Sequence, residues 1–316
     1  MWYASGYEDI ANDLRQINRP ECSKRKLMLR KFINEVMSHR HDKCLKQLLD
    51  DDDLCEEKIK SILALHYFKP LSNDGVCLVD KCQRYKKCHM CDEEVTVDLK
   101  ETTFGNPAVW YGQADILVQK NIVKIDVEDV GKLSLRDEEQ DDWDCSNIVA
   151  VKTEDTKRKS KCQAIAQTIV NAFVEAGKAS TFFDKFIPSF LATEKTIRII
   201  LYNCKLDKLL LSDEFPIWEN INDRTLSVET MVFVWLTLNH FMKKLDSTTT
   251  NLIAETPVSQ FKEVVGDAYE VYLKDMRRPC KREMKQQPKT NRLSADKLKF
   301  IHEVRMKLID VMAESG

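Results

Sequence analysis

WYGQADILVQ (residues 110–119), NIVKIDVEDV (121–130), NIVAVKTED (147–155) and KCQAIAQTIVNAF (161–173) follow one another along the chain, and their order decides the fold. The first two carry the short alternating pattern of strands, and the third reads as a strand as well. In the second, Val123, Ile125 and Val127 point one way while Lys124, Asp126 and Glu128 point the other. The QKN turn between the first and second is short enough for a hairpin. The fourth repeats apolar residues at helical spacing, with Cys162, Ile165, Ala166, Ile169, Val170 and Phe173 on one face. Gln163, Gln167 and Asn171 form a polar row on it at steps of four. A carboxylate-bearing hairpin, a strand ending in lysine and a glutamine-bearing helix thus bring Asp115, a second acid, Lys152 and Gln163 toward one sheet edge. A divalent metal fits there.

Outward from this stretch the pattern becomes helical. Leu27, Leu29, Phe32, Ile33 and Val36 approximate one helical face, and a second helix is expected from Leu54 to Phe68, ended by Pro70. SNDG (72–75) reads as a turn and VTVDLKETTF (95–104) as a further strand. Downstream, Gly131 to Cys145 reads as an acidic solvated loop. FIPSFLAT, TIRIILYNC and KLLLSDEF follow as strands, and Ser227 is placed to cap a buried helix. A final amphipathic helix is expected from Ser294 to about Ala313. The fold class is therefore α/β, a mixed central β-sheet flanked by helices. A helical region (1–75) precedes the core (76–245), and a basic linker with a C-terminal helix (246–316) follows it.

Among the 316 residues, 43% are hydrophobic and 32% charged, which fits a globular chain with a substantial core. No apolar run approaches the ~20 residues of a membrane helix. The opening MWYASGYEDIANDLR lacks the basic leader and apolar core of a secretory signal. With that start, the 11 cysteines read as free thiols or metal ligands rather than disulfides, and a cytoplasmic or nuclear location is expected. The net charge of −2 hides local polarity: DDDDLCEE (50–57) and DEEQDDWD (137–144) are acidic. Between Lys274 and Lys299, 10 Lys/Arg stand against 3 acids. Arg277, Arg278, Lys281, Arg282 and Lys285 in that segment are the candidate phosphate contacts, which makes nucleic acid the expected partner.

The succession of helix, strands, helix and strand, with acids on the central strands, resembles the PD-(D/E)XK nuclease superfamily over roughly residues 54–215. The resemblance implies a restriction-endonuclease-like core. Gly112-Gln113-Ala114-Asp115 matches its acid after a small-residue turn, and Gln163 and Gln167 match its helix glutamine. The strand triplet is Ala150-Val151-Lys152, which keeps the lysine but has alanine in place of the acid. Glu128 or Asp126 on the neighbouring strand, or Glu154 two residues beyond Lys152, would then supply the second carboxylate. The resemblance implies Asp115 and Glu128 as ligands of Mg²⁺ or Mn²⁺, Lys152 as charge stabiliser and Gln163 as positioner. Glu57, from the helix at 54–68, is placed to contribute from the opposite side. Such a metal lowers the pKa of bound water and stabilises charge on the phosphate.

Cys77, Cys82, Cys88 and Cys91 contain one C-x-x-C pair and present either a structural zinc site or free thiols on a basic turn. HRH (39–41) reads as a helix-face feature, and Cys44, Cys162 and Cys204 as core or surface thiols. Three functions follow: a metal-dependent nuclease, a nuclease-fold scaffold without its chemistry, and a zinc-stapled adaptor of unrelated α+β fold.

Overall fold

A strand covered on both faces must be apolar on both, and FIPSFLA (186–192) is buried at every residue, which marks it as an interior strand of the sheet. The computed structural model describes residues 41–50, 54–72, 76–79, 84–97, 103–106, 110–119, 146–154, 157–177, 182–239, 258–267, 269–270 and 273. The expected strand at 121–130 with Glu128, the acidic loop, Cys82, the helices at 27–36 and 294–313 and the basic residues Arg277 to Lys285 lie outside the described residues.

The chain begins with short helices α1 (Asp42–Leu45) and α2 (Gln47–Asp50), then α3 (Glu56–Leu63). Glu56 and Glu57 lie in the first turn of α3, where the helix dipole favours acids. The helix continues through a π-helical stretch, Ala64–Phe68, into a last turn, Lys69–Leu71. Pro70 therefore sits inside that last turn rather than ending the helix. The widened π turn before it relieves the backbone bond that a proline cannot make.

The strands are β1 (Val76–Val79), β2 (Thr96–Val97), β3 (Thr103–Asn106), β4 (Trp110–Gln113), β5 (Ile116–Gln119) and β6 (Ser146–Val151). Helix α4 (Lys157–Ala176) leads to β7 (Phe186–Ala192), β8 (Thr196–Asn203) and β9 (Lys208–Pro216). The main sheet runs β2-β1-β5-β6-β7-β8-β9. Strand β5 is antiparallel to both neighbours, α4 carries the chain from β6 to parallel β7, and β7 to β9 form an antiparallel meander. Two expected strands are in fact broken. WYGQADILV divides into β4, which pairs with β3 in a separate hairpin, and β5 of the main sheet; VTVDLKETTF divides likewise into β2 and β3. The helix after β6 starts at Lys157, so residues expected as a polar turn form its first turn.

Alternation along the strands sends side chains to two cores. Ile116, Val118, Val149 and Val151 join Ile59, Ile62 and Leu63 of α3 on one face. Leu117, Ile148 and Ala150 join Ile165, Ile169 and Phe173 of α4 on the other. The capped helix after β9 is α5 (Val228–Leu238); Ser227 Oγ accepts from the Thr230 amide, and Val234 and Trp235 bury on the α3 face. The α4 face is closed by α6 (Phe261–Val265), so this part of the region expected as linker belongs to the core. Asp207, in the left-handed region at φ 51°, tethers it: its carboxylate accepts from Tyr202 Oη and Ser259 Oγ, each at 2.6 Å. No helix among the described residues is long and apolar enough to cross a membrane.

Phe173 packs against the rings of Tyr202, Phe261 and Tyr269, so it joins α4, β8 and α6. Phe173→Ala is expected to cost about 3–5 kcal/mol in urea unfolding, because the fixed sheet cannot collapse into the cavity.

Candidate functional site

The break between β4 and β5 falls at Ala114–Asp115, and Asp115 uses it. Ile116 pairs with Val149, and the ladder between β5 and β6 ends there, one residue after Asp115. Asp115 Oδ2 accepts the Val151 amide at 2.8 Å, a side chain standing in for the ladder bond. Its other oxygen, Oδ1, lies 2.6 Å from Lys60 Nζ. Lys60 Nζ is also 3.1 Å from Glu56 Oε1, an i,i+4 pair along α3. Lys152 leaves the end of β6 and its Nζ reaches Glu56 Oε1 at 3.0 Å and Asp115 Oδ2 at 3.5 Å. Two carboxylates and two ammoniums thus close into a charge-balanced cluster on the α3 side of the sheet. Lys60 is only 6% exposed and Asp115 8%, so water screens the pair weakly.

Burial alone would raise the Glu56 carboxyl, but Lys152 and Lys60 outweigh it and hold it below its ordinary value. Burial likewise works against charged Lys60, yet Asp115 and Glu56 outweigh it and raise the ammonium. Glu56 therefore stabilises the fold above the unfolded carboxylate pKa of about 4.3, and that contribution is lost as the pH falls through its depressed folded value. Lys60 contributes fully below about 10.4 and loses its contribution as the pH rises through its raised folded value.

Of the expected site residues, the structure brings Asp115 and Lys152 together, and α3 does contribute a glutamate. It is Glu56 rather than Glu57, which is exposed. The Cys55 N-cap sets the phase of α3 and aims Glu56 and Lys60 at the sheet edge. Sequence reading passed over Lys60, although the Glu56–Lys60 spacing was visible. Ala150 is buried under α4 and offers no ligand. Glu154 lies in the turn after β6, where its amide donates to Glu194 Oε2 at 3.3 Å. Gln163 is exposed on α4, which covers the opposite face from the cluster. The inward member of its row is Gln167, whose Nε2 donates to Gln113 carbonyl at 2.9 Å. Gly112 permits this approach: a Cβ there would come within 3.3 Å of Gln167 Cγ and 3.2 Å of Phe104 Cζ.

Among the described residues, one group of three or more His, Cys, Asp or Glu side chains has ligand atoms close enough to share an ion. It is Cys44, His66, Cys88 and Cys91, with all four ligand atoms within 4.8 Å of one another. Such a Cys₃His set can hold a metal such as zinc. The C-x-x-C pair is as expected, whereas Cys77 is buried in β1 and takes no part in the group. Among the described residues, Cys44 and His66 complete the group with that pair. Asp115 and Glu56 form no comparable group among the described residues, and each is bound by lysine. No family model, characterised protein or solved structure matches the chain.

Lys60→Met removes one ammonium and leaves Asp115 and Glu56 to share Lys152. It is expected to destabilise by about 3 kcal/mol in urea unfolding at neutral pH; a loss below about 1 kcal/mol would mean that the pair is screened like a surface one. The stability difference between wild type and Glu56→Gln is expected to persist from pH 6 to 8, to shrink only below the unfolded value of about 4.3, and to vanish as the pH passes the depressed folded value. Thermal melts across that range check the sign.

Proposed function

We propose that this chain is a nuclease-fold scaffold in which lysine has taken the cation's place, so that it binds nucleic acid without hydrolysing it. The observation that carries the reading is Lys60 Nζ bridging Asp115 Oδ1 and Glu56 Oε1. An ammonium in that position satisfies the charge that a divalent ion would otherwise neutralise. A hard ion needs several oxygen ligands; here it would have to expel a buried, doubly paired lysine, with alanine at position 150 on the adjacent strand. The succession α3, β1, β5, β6, α4, β7 supports the nuclease-fold part. It is the helix, strands, helix and strand order on which the PD-(D/E)XK resemblance rests, with Asp115 and Lys152 meeting across β5 and β6. The basic residues Arg277, Arg278, Lys281, Arg282 and Lys285 supply the phosphate-binding part of the proposal.

The second reading is a Mg²⁺- or Mn²⁺-dependent nuclease. It is favoured by the convergence of Glu56, Asp115 and Lys152, two carboxylates and a lysine within hydrogen-bonding reach. In it, Asp115 and Glu56 would hold the metal in place of Lys60, the metal would supply a water of lowered pKa, and Lys152 would steady the developing charge.

One experiment separates the two. Folded wild type, Asp115→Ala and Lys152→Ala are incubated with single-stranded DNA, duplex DNA and RNA in Mg²⁺ and in Mn²⁺, and binding is followed by fluorescence anisotropy. The scaffold reading expects no metal-dependent cleavage and affinity that falls at least tenfold between about 50 and 200 mM salt. Replacing the five basic residues by serine should flatten that salt dependence. Cleavage that needs metal and disappears in both variants would establish the nuclease. Neither binding nor cleavage would remove both readings.

A further inference from the structure

The Cys₃His group draws on three separate pieces of chain: Cys44 on α1, His66 in the π-helical stretch after α3, and Cys88 and Cys91 on one turn. Cys44, His66 and Cys88 are buried, and Cys91 is exposed. We infer that these four side chains form a closed tetrahedral zinc site which clamps α1 and the 84–95 turn against α3, and so fixes the helix that carries Glu56 and Lys60.

Four observations carry this. The first is spacing. Zinc–sulfur bonds of about 2.3 Å place tetrahedral ligand atoms about 3.8 Å apart, and the four atoms here lie within 4.8 Å of one another. That spacing suits a single ion; an iron–sulfur cluster seats its thiolates on separate iron atoms and needs them farther apart.

The second is orientation. His66 Nε2 faces Cys91 Sγ at 3.9 Å, while its Nδ1 meets His41 Nδ1 at 3.0 Å. A metal-bound imidazole commonly donates its far N–H to an acceptor that fixes tautomer and ring angle. His41 is in place to accept it.

The third is the turn around Cys88. The Cys88 amide donates to Glu93 carbonyl, the Asp92 amide returns to Cys88 carbonyl, and Asp92 takes the left-handed conformation at φ 62°. Gln47 Nε2 directs its donors at Cys88 sulfur from 3.9 Å. Donors directed at sulfur are what a thiolate ligand requires.

The fourth is linkage to α3. Ser61 Oγ donates to Tyr85 carbonyl at 2.7 Å, and Lys69 Nζ lies 3.5 Å from Glu93 Oε2. Ser61 directly follows Lys60, so the turn grips the helix on one side while Asp115 grips it on the other. All four coordination positions are filled by protein, which leaves none for substrate; the role is structural.

The test uses the full chain purified without chelator. Elemental analysis is expected to find one zinc per chain, retained on dialysis. Cobalt replacing it should give tetrahedral d–d bands and thiolate-to-cobalt charge transfer, the latter falling by about a third in His66-competent Cys91→Ser that still binds metal. Cys88→Ser should lose zinc, while Cys77→Ser and Cys204→Ser, both outside the group, keep it. On zinc removal the thermal midpoint should drop by roughly 10 °C or more. Amide protection should fall in the 84–95 turn and α3 while β7 and β8 remain protected. Folded wild type that holds no zinc, or iron in its place, overturns the proposal. So does a Cys77→Ser variant that loses metal as Cys88→Ser does. Unchanged protection of α3, or equal loss throughout the sheet, overturns the clamp.

Discussion

Asp115 is held to one position by three demands that no other residue type meets at once. Its Oδ2 closes the backbone of Val151 where β4 and β5 part, its Oδ1 neutralises a buried lysine, and Lys152 approaches from the end of β6. Removing a buried carboxylate of this kind leaves the Val151 amide unpaired and leaves Lys60 with Glu56 alone. The chain break, the edge of the sheet and the docking of α3 therefore meet on one side chain. Burial of Ile59, Ile62 and Leu63 supplies the general attraction between α3 and the sheet. The ion pairs select which turn of the helix faces which strand end.

What could be read from the chain was whatever a local pattern encodes. The apolar run in NIVAVK and the helical row in KCQAIAQTIVNAF are properties of neighbouring residues, and the corresponding strand and helix are present. Ser227 was visible as a cap because capping is decided within three residues. Asp115 and Lys152 follow from the order of these elements along the chain. Ala114 and Asp115 interrupt an apolar run too briefly to announce that it serves two sheets.

The parts that were missed depend on phase or on distance along the chain. Choosing between Glu56 and Glu57 requires knowing where α3 begins, and a shift of one residue turns the side chain by about 100°. Gln163 and Gln167 lie in the same polar row one turn apart. Only the contact of Gln167 with the strand at Gly112 separates them. Cys88 and Cys91 declare themselves as a pair, whereas Cys44 and His66 are unremarkable in sequence and gain meaning when α1 and the end of α3 fold against that turn.

The π-helical stretch Ala64–Phe68 acts on the helix as a rotational spacer. One helix has to present Glu56 and Lys60 to the sheet edge at one end and His66 to three sulfurs at the other. A uniform 3.6-residue repeat links those two angles rigidly. The wider turn inserts an offset between them, so each end keeps its own azimuth. Length and rotation are thereby decoupled: deleting a single residue within this stretch would restore regular hydrogen bonding yet swing one of the two ends off its target.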